Sequence, residues 1–393
     1  VLIAIKQAIK ELAMKICFII HDVTSRGGTE RAQAALVNAL SARGESISVW
    51  SMYSTRRTLE FSLAESVKVS YGLRKPLPFF LDYPWLICAF AIHVFRLRPR
   101  WIVCTGANRM IIAALAAFIP GVKVAIWEKF PVSNSVTRPR GRLARRLGAA
   151  LASVIVTLTE FDKNLYAALY APAGTLTRIP NIVHSPGASG AIRRKEILAM
   201  GNLSREKGFD LLLEAWALAI SRLPDWTLRI VGDGKLRDSL VRHASNLGIR
   251  QRVIFSPFSD DPFSLYSECG IFVLSSRFDC LPGVLIEAMT CGAPCISFDC
   301  PNGPREIIRN GVNGILVPAE QVDALADAMV KLGENPLLCQ RLGNAARARS
   351  VSKTYSEPRV AARWHEVLYG QMQSAKKPVT SVAADRAARS RAV

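Results

Sequence analysis

The segment from Ser275 to Ile307, SSRFDCLPGVLIEAMTCGAPCISFDCPNGPREI, brings together the groups best suited to chemistry. Asp279 and Glu287 are carboxylates on either side of an expected helix start, because Pro282 has the fixed φ favoured at the first helical position. The amides near Gly283, Val284 and Leu285 are then expected to lack partners within the helix. Together with the partial positive charge of the helix dipole, they suit an anion such as a diphosphate. Glu287 lies just over one turn further along, within reach of a hydroxyl-rich group beyond the phosphates. A buried strand, turn and helix with a capping Asp would place the same residues without any ligand, so the surrounding elements carry weight.

Those elements alternate. KICFII, a helix over AQAALVNALSARG, and SISVWSMY open a series continued by strands expected at Trp101–Cys104, Val122–Trp127 and Val154–Leu158. HSPGASGAIRR then breaks the periodicity and reads as a linker. A second series follows: EILAMG, a helix from Lys207, TLRIVG, a helix from Lys235, RVIFSPF, GIFVLSS, the helix at Pro282, PCISF and GILVP. Short apolar strands between longer amphipathic stretches imply two parallel, doubly wound Rossmann-like sheets in an α/β protein, with the ligand cleft at their carboxyl ends. Paired glycines in HDVTSRGGTER, Gly27 and Gly28, sit where a strand turns into a helix and would let a ligand approach the backbone closely.

Here the chain resembles the family 4 glycosyltransferases, enzymes of GT-B architecture that transfer sugars with retention. Their signature is two acids with seven residues between them, then EAM-x-x-G-x-P. Asp279 and Glu287 through Pro294 follow it, with Asp279 where the family has Glu. The resemblance implies that Asp279 hydrogen-bonds the donor hexose and Glu287 the ribose hydroxyls. GGTER, with Gly27 and Gly28, matches the family's GGxER. GNLSREKG matches GRL-x-x-x-KG, in which a Lys and an Arg neutralise the donor diphosphate; Lys207 aligns, Asn202 replaces the usual Arg, and Arg205 is the nearby substitute. VGDG, containing Gly232, matches the element before the next helix, and LTEFD and FDCPNGPREI are similar to patterns of the bacterial subgroup that builds polysaccharides and lipid-linked oligosaccharides. On the acceptor and sugar side, Glu128 and Lys129 align with an Ile/Ser-Glu-His pattern. Lys129 then faces an acidic sugar or the leaving phosphate, or is a surface lysine without a role.

The resemblance implies an acceptor-side domain over 1–183, a donor-nucleotide domain over 194–355 and a helix at 356–370 packing back on the first domain; the break in periodicity places the linker at 184–193, and a polar, Ala/Arg/Ser-rich composition implies a disordered tail from 371 to 393. The chain has no DxD motif, so no metal and no other cofactor is expected. Stabilisation of the leaving group is expected from Lys207, Arg205, the helix amides and the Gly27-Gly28 turn. The expected substrates are a nucleotide sugar, a UDP-sugar first of all, and a lipid-linked or membrane-surface glycan. The competing readings are a weakly active partner subunit that binds a sugar nucleotide, suggested by Asp279, Asn202 and Lys129, and an epimerase of the same architecture.

Charge points to a partner surface. Residues 1–185 hold 24 Lys/Arg against 10 Asp/Glu, while 186–370 hold 22 against 20. The basic run Arg138, Arg140, Arg142, Arg145 and Arg146 lies in that first half and is expected to contact an anionic membrane from the cytoplasmic side. No nucleic-acid recognition motif accompanies the charge. The longest apolar stretch, Phe79 to Phe95, is interrupted by Asp82, Pro84 and His93, so no spanning segment is expected. Nine cysteines without a CxxC pair read as buried thiols, not a metal site or disulfide framework. Translation is expected to start at Met14 rather than upstream.

Overall fold

The apolar runs form strands buried along most of their length, as expected where helices cover both faces of a sheet. The computed structural model describes residues 15–76, 79–135, 139–184, 192–348 and 354–374. The first domain comprises β1 (Lys15–Asp22), α1 (Gly28–Ala42), β2 (Ser46–Tyr53), β3 (Lys68–Leu73), α2 (Phe79–Leu97), β4 (Trp101–Thr105), α3 (Met110–Ala113), β5 (Lys123–Trp127), α4 (Pro139–Leu151), β6 (Val154–Thr157), α5 (Glu160–Tyr170) and β7 (Thr175–Arg178). Its seven strands are parallel, in the order β3-β2-β1-β4-β5-β6-β7.

The second domain runs through β8 (Glu196–Met200), α6 (Phe209–Ala219), β9 (Thr227–Val231), α7 (Arg237–Asn246), β10 (Val253–Ser256), α8 (Pro262–Glu268), β11 (Ile271–Leu274), α9 (Gly283–Thr290), β12 (Cys295–Asp299), α10 (Pro304–Ile307), β13 (Ile315–Pro318), α11 (Val322–Gly333) and α12 (Pro336–Ala348). Its six strands are also parallel, in the order β10-β9-β8-β11-β12-β13. In both sheets the strand order reverses beside the first strand, which opens a crevice at the carboxyl ends where ligands of such folds bind.

One strand was not legible. β3 is an edge strand whose side chains are half-buried or exposed, and KVSYGL lacks the continuous apolar run of its neighbours. The last helix, α13 (Glu357–Ser374), returns to the first domain and takes in 371–374, which corrects the start of the expected disordered tail. Its Trp364 meets Trp127 edge-on with ring centroids 5.3 Å apart, and His365 Nε2 lies 3.2 Å from Glu45 Oε1. The chain therefore crosses between domains twice, and the Val183 amide donates to the Tyr355 carbonyl at 3.0 Å where the crossings meet. The expected start at Met14, Arg138, the linker's 185–191 and the tail from 375 lie outside the described residues. Among the described residues no helix is long and apolar enough to cross a membrane.

Candidate active site

Close packing of two turns sets the donor side. Gly208 has φ +62°, and a β-carbon there would lie 2.1 Å from the Ser275 carbonyl, so only glycine lets the turn after β8 press onto the end of β11. Ser275 Oγ donates to the Lys207 carbonyl at 3.0 Å across the same contact. Lys207 Nζ is thereby brought within 2.5 Å of Asp279 Oδ2, which also accepts from Ser276 Oγ at 3.3 Å. Gly232 answers a similar need: its β-carbon would stand 1.9 Å from the Gly201 carbonyl, so its role visible here is to let the β8 and β9 loops touch. Arg205 lies on the same turn as Lys207 but is exposed, and Asn202 is exposed beside it.

Helix α9 starts one residue later than the sequence suggested, with Pro282 as its N-cap. Contrary to expectation, the Leu285 amide is not free: it donates back to the Pro282 carbonyl at 3.2 Å, and its side chain is buried. The open amides are those of Gly283 and Val284, both half-exposed. Glu287, 4% exposed, is inside the contact between domains. Its Oε2 accepts from the Tyr266 hydroxyl at 3.0 Å and its Oε1 from the Arg31 guanidinium on α1. Burial pushes its carboxyl above the usual range, against the pull of Arg31 and Tyr266.

On the first domain, Asp22 clamps the loop after β1. It accepts from the Thr24 amide at 2.9 Å and the Thr55 amide at 3.2 Å, and from both hydroxyls. Gly27 then caps α1 in extended conformation, and a β-carbon on Gly28 would meet open space. The reading of Lys129 as a surface lysine is corrected. It is 6% exposed, donates to Asn181 Oδ1 at 2.9 Å, and lies 3.3 Å from the Trp127 ring centroid. Burial holds its pKa well below the usual range, with Cys280 and Glu30 pulling the other way. Glu128, expected on the acceptor side, is 2% exposed and turned to Arg145 inside the domain.

That pairing also corrects Arg145 as a membrane contact, since a guanidinium 5% exposed and spent on Glu128 offers nothing to a lipid surface. One hydrogen bond links the two, Arg145 Nη2 to Glu128 Oε2 at 3.1 Å; the Nε to Oε1 approach of 3.0 Å is a charge contact outside hydrogen-bond geometry. Arg140, Arg142 and Arg146 on the same helix are exposed. The expectation that the cysteines are buried fails at Cys88, which is exposed, and at half-buried Cys339.

The two motifs that pointed to the bacterial subgroup meet across the domain boundary. Asp162, from LTEFD, accepts from Asn302 Nδ2 at 3.2 Å and from Cys280 Sγ at 3.3 Å. Glu306, from GPREI, accepts from the Phe161 amide at 3.2 Å and pairs with Arg178 at 3.3 Å. Asn302 is also bridged through its backbone to Asp279, so the interdomain contact and the site acid share a strut. Arg31, Tyr266, Asp162 and Asn302 were not singled out from the sequence. Arg31 stood in plain view within GGTER, but nothing in one chain's order of residues says that position 31 meets position 287.

Comparison with known proteins bears on the fold. Residues 189–349 match the family model described as glycosyl transferases group 1. A glycosyltransferase of Haemophilus influenzae, itself described as uncharacterized, is 29% identical over 357 residues, covering 90% of this chain and 99% of the relative. The amylovoran biosynthesis glycosyltransferase AmsD of Erwinia amylovora is 24% identical over 363 residues, with 90% and 99% covered. Anabaena HepE, solved in complex with UDP, superposes with a TM-score of 0.74 at 19% identity, covering 91% of this chain and 100% of HepE. The fold is that of the GT-B glycosyltransferases. The Lys207–Asp279 pair, the start of α9 and Glu287 all belong to the second domain, and Arg31 reaches Glu287 from the first. The resemblance read from the motifs is supported at the level of the GT-B fold, with the group 1 glycosyl transferase model matching 189–349.

Proposed function

We propose that the chain is a retaining, family 4 glycosyltransferase that moves a hexose or N-acetylhexosamine from a nucleotide sugar, first of all a UDP-sugar, to a lipid-linked or membrane-surface glycan in polysaccharide biosynthesis. The observation that carries the reading is Lys207 Nζ 2.5 Å from Asp279, with the open amides of Gly283 and Val284 and then Glu287 further along the same wall. As the bond to the nucleotide breaks, negative charge grows on the leaving phosphate. Lys207 and the two amides stabilise it without a metal ion, with Arg205 able to join from its exposed turn. Asp279 orients the sugar and Glu287 takes the ribose hydroxyls, released from Arg31. The departing phosphate assists deprotonation of the acceptor on the same face. Lys129, whose proton burial loosens, would hold it more tightly beside an anionic sugar or phosphate. UDP bound to HepE and the amylovoran pathway of AmsD support the donor and the setting, and the basic first domain supports work at the inner face of the cell membrane.

The test is a panel of UDP-, GDP- and ADP-sugars. A UDP-sugar should raise the melting temperature and be split to the nucleoside diphosphate, since a ligand bound to the native state stabilises it. A panel in which no sugar nucleotide binds or turns over would sink the reading. Binding without turnover, with any acceptor, would favour the partner subunit, for which Asn202 in place of Arg is the specific observation.

A further inference from the structure

A helix apolar on every side is expected to be buried on every side, and α2 is not. Leu86, Phe90 and Val94 are fully buried under the sheet, while on the other side Leu81, Trp85, Ile92 and Phe95 are 55%, 57%, 53% and 61% exposed. Their spacing places them along one stripe. α2 packs on α3 and α3 on α4, so the three helices form one layer over the same face of the sheet. Phe118, just after α3, adds a ring 71% exposed.

The charge around this layer is one-sided. Residues 66–159 contain 14 Lys or Arg and two carboxylates, Asp82 and Glu128. Both carboxylates are buried, Asp82 under the Tyr53 hydroxyl and Glu128 against Arg145. Arg74 and Lys75 are exposed ahead of α2, Arg96 and Arg98 at its end, and Arg142 and Arg146 on α4. Arg98 lies 5.4 Å from the Phe95 ring centroid, so charge and apolar surface are interleaved.

We propose that the outer face of α2, α3 and α4 docks on an anionic lipid surface, with Leu81, Trp85, Ile92, Phe95 and Phe118 entering the headgroup region and the arginines and lysines around them meeting lipid phosphates. Indole and phenyl rings favour that interface, and each basic residue adds to the attraction. A second copy of the chain fits worse, because self-pairing would press two positive faces together. Nucleic acid would answer the charge but leave the stripe in water. The inserted element is thus α2, and the α4 arginines assist it. The start of α2 follows the carboxyl end of β3, so the stripe begins at the cleft end of the domain, where a lipid-borne acceptor must arrive. That last link rests on the proposed acceptor; docking itself does not.

The experiment is flotation of the full chain with vesicles of phosphatidylcholine, with and without phosphatidylglycerol. The parent should bind only the anionic vesicles and keep part of that binding at high salt. Trp85→Ser with Phe95→Ser should lower the partition by about tenfold or more, with an unchanged melting temperature, and should lose the remainder in salt. Lipids brominated on their acyl chains should quench fluorescence in the parent, with Trp85→Phe removing most of the effect. Equal flotation of parent and double variant, unquenched fluorescence, or a parent dimer that the double variant dissociates would each overturn the proposal. Nucleoside diphosphate release measured without vesicles should be the same in parent and variant. A parent lacking that release yet floating would mark failure of the transferase reading alone.

Discussion

Replacing Arg145 by Met should cost the first domain about 3–5 kcal/mol, the usual penalty for stripping one partner from a buried ion pair. The structure supports an effect of that size, because the Glu128 and Arg145 side chains are only 2% and 6% exposed and Arg145 is the cation in direct contact with Glu128, with Arg109 adding only a coulombic pull. For a domain of this size the loss corresponds to a melting temperature lower by roughly 6–20 °C. Glu128→Leu combined with Arg145→Met should recover most of it, since two apolar residues leave no stranded charge. The pH dependence has a defined sign. Burial holds the Glu128 carboxyl above the usual range, with Arg145 opposing, and removing Arg145 raises it further. A carboxyl whose folded pKa exceeds its unfolded value binds its proton more tightly when folded, so folding is penalised above that pKa and relieved as pH falls through it. The deficit of Arg145→Met should therefore shrink towards mildly acidic pH. Thermal melts followed by circular dichroism across pH decide the matter: a variant melting within about 1 °C of the parent at neutral pH would show that Arg145 is one more solvated charge on α4.

Lys207→Ala should lower transfer on the order of 10²-fold or more in a protein that still melts normally, and near-parental turnover would remove Lys207 from the mechanism. Turnover should survive EDTA, whereas a strict need for Mg²⁺ or Mn²⁺ would end the metal-free reading. Asp279→Glu should change rate or donor preference across the sugar-nucleotide panel with little change in stability; identical kinetics would mean that position 279 does not touch the sugar. Glu287→Gln should weaken donor binding, read as a smaller thermal shift, and an unchanged shift would exclude contact with the ribose.

The alternating strands and helices were readable because a strand buried on both faces must be continuously apolar, and β1, β8 and β11 are. The spacing of Asp279 and Glu287 around Pro282 was readable because a helix start is a local event. What escaped was set by distant partners. Arg145 looks like its neighbours in a basic run, yet it shares the inward side of α4 with Gly141, Ala144 and Gly148, and only Glu128, on another element, explains a charge there. Lys129 left a surface reading open because lysine is usually exposed, and its partner Asn181, on a distant part of the chain, is a tertiary fact. Leu285 kept its amide occupied through a tight first turn that no spacing rule specifies.

The hydrogen bond between Val183 and Tyr355 makes the connection between domains a paired strap. A single tether permits swivelling about its own axis as well as bending. With Val183 joined to Tyr355, the two connections are held together at one point, which opposes swivelling more than a single tether would. A domain movement about that point would carry Arg31 towards or away from Glu287 on α9.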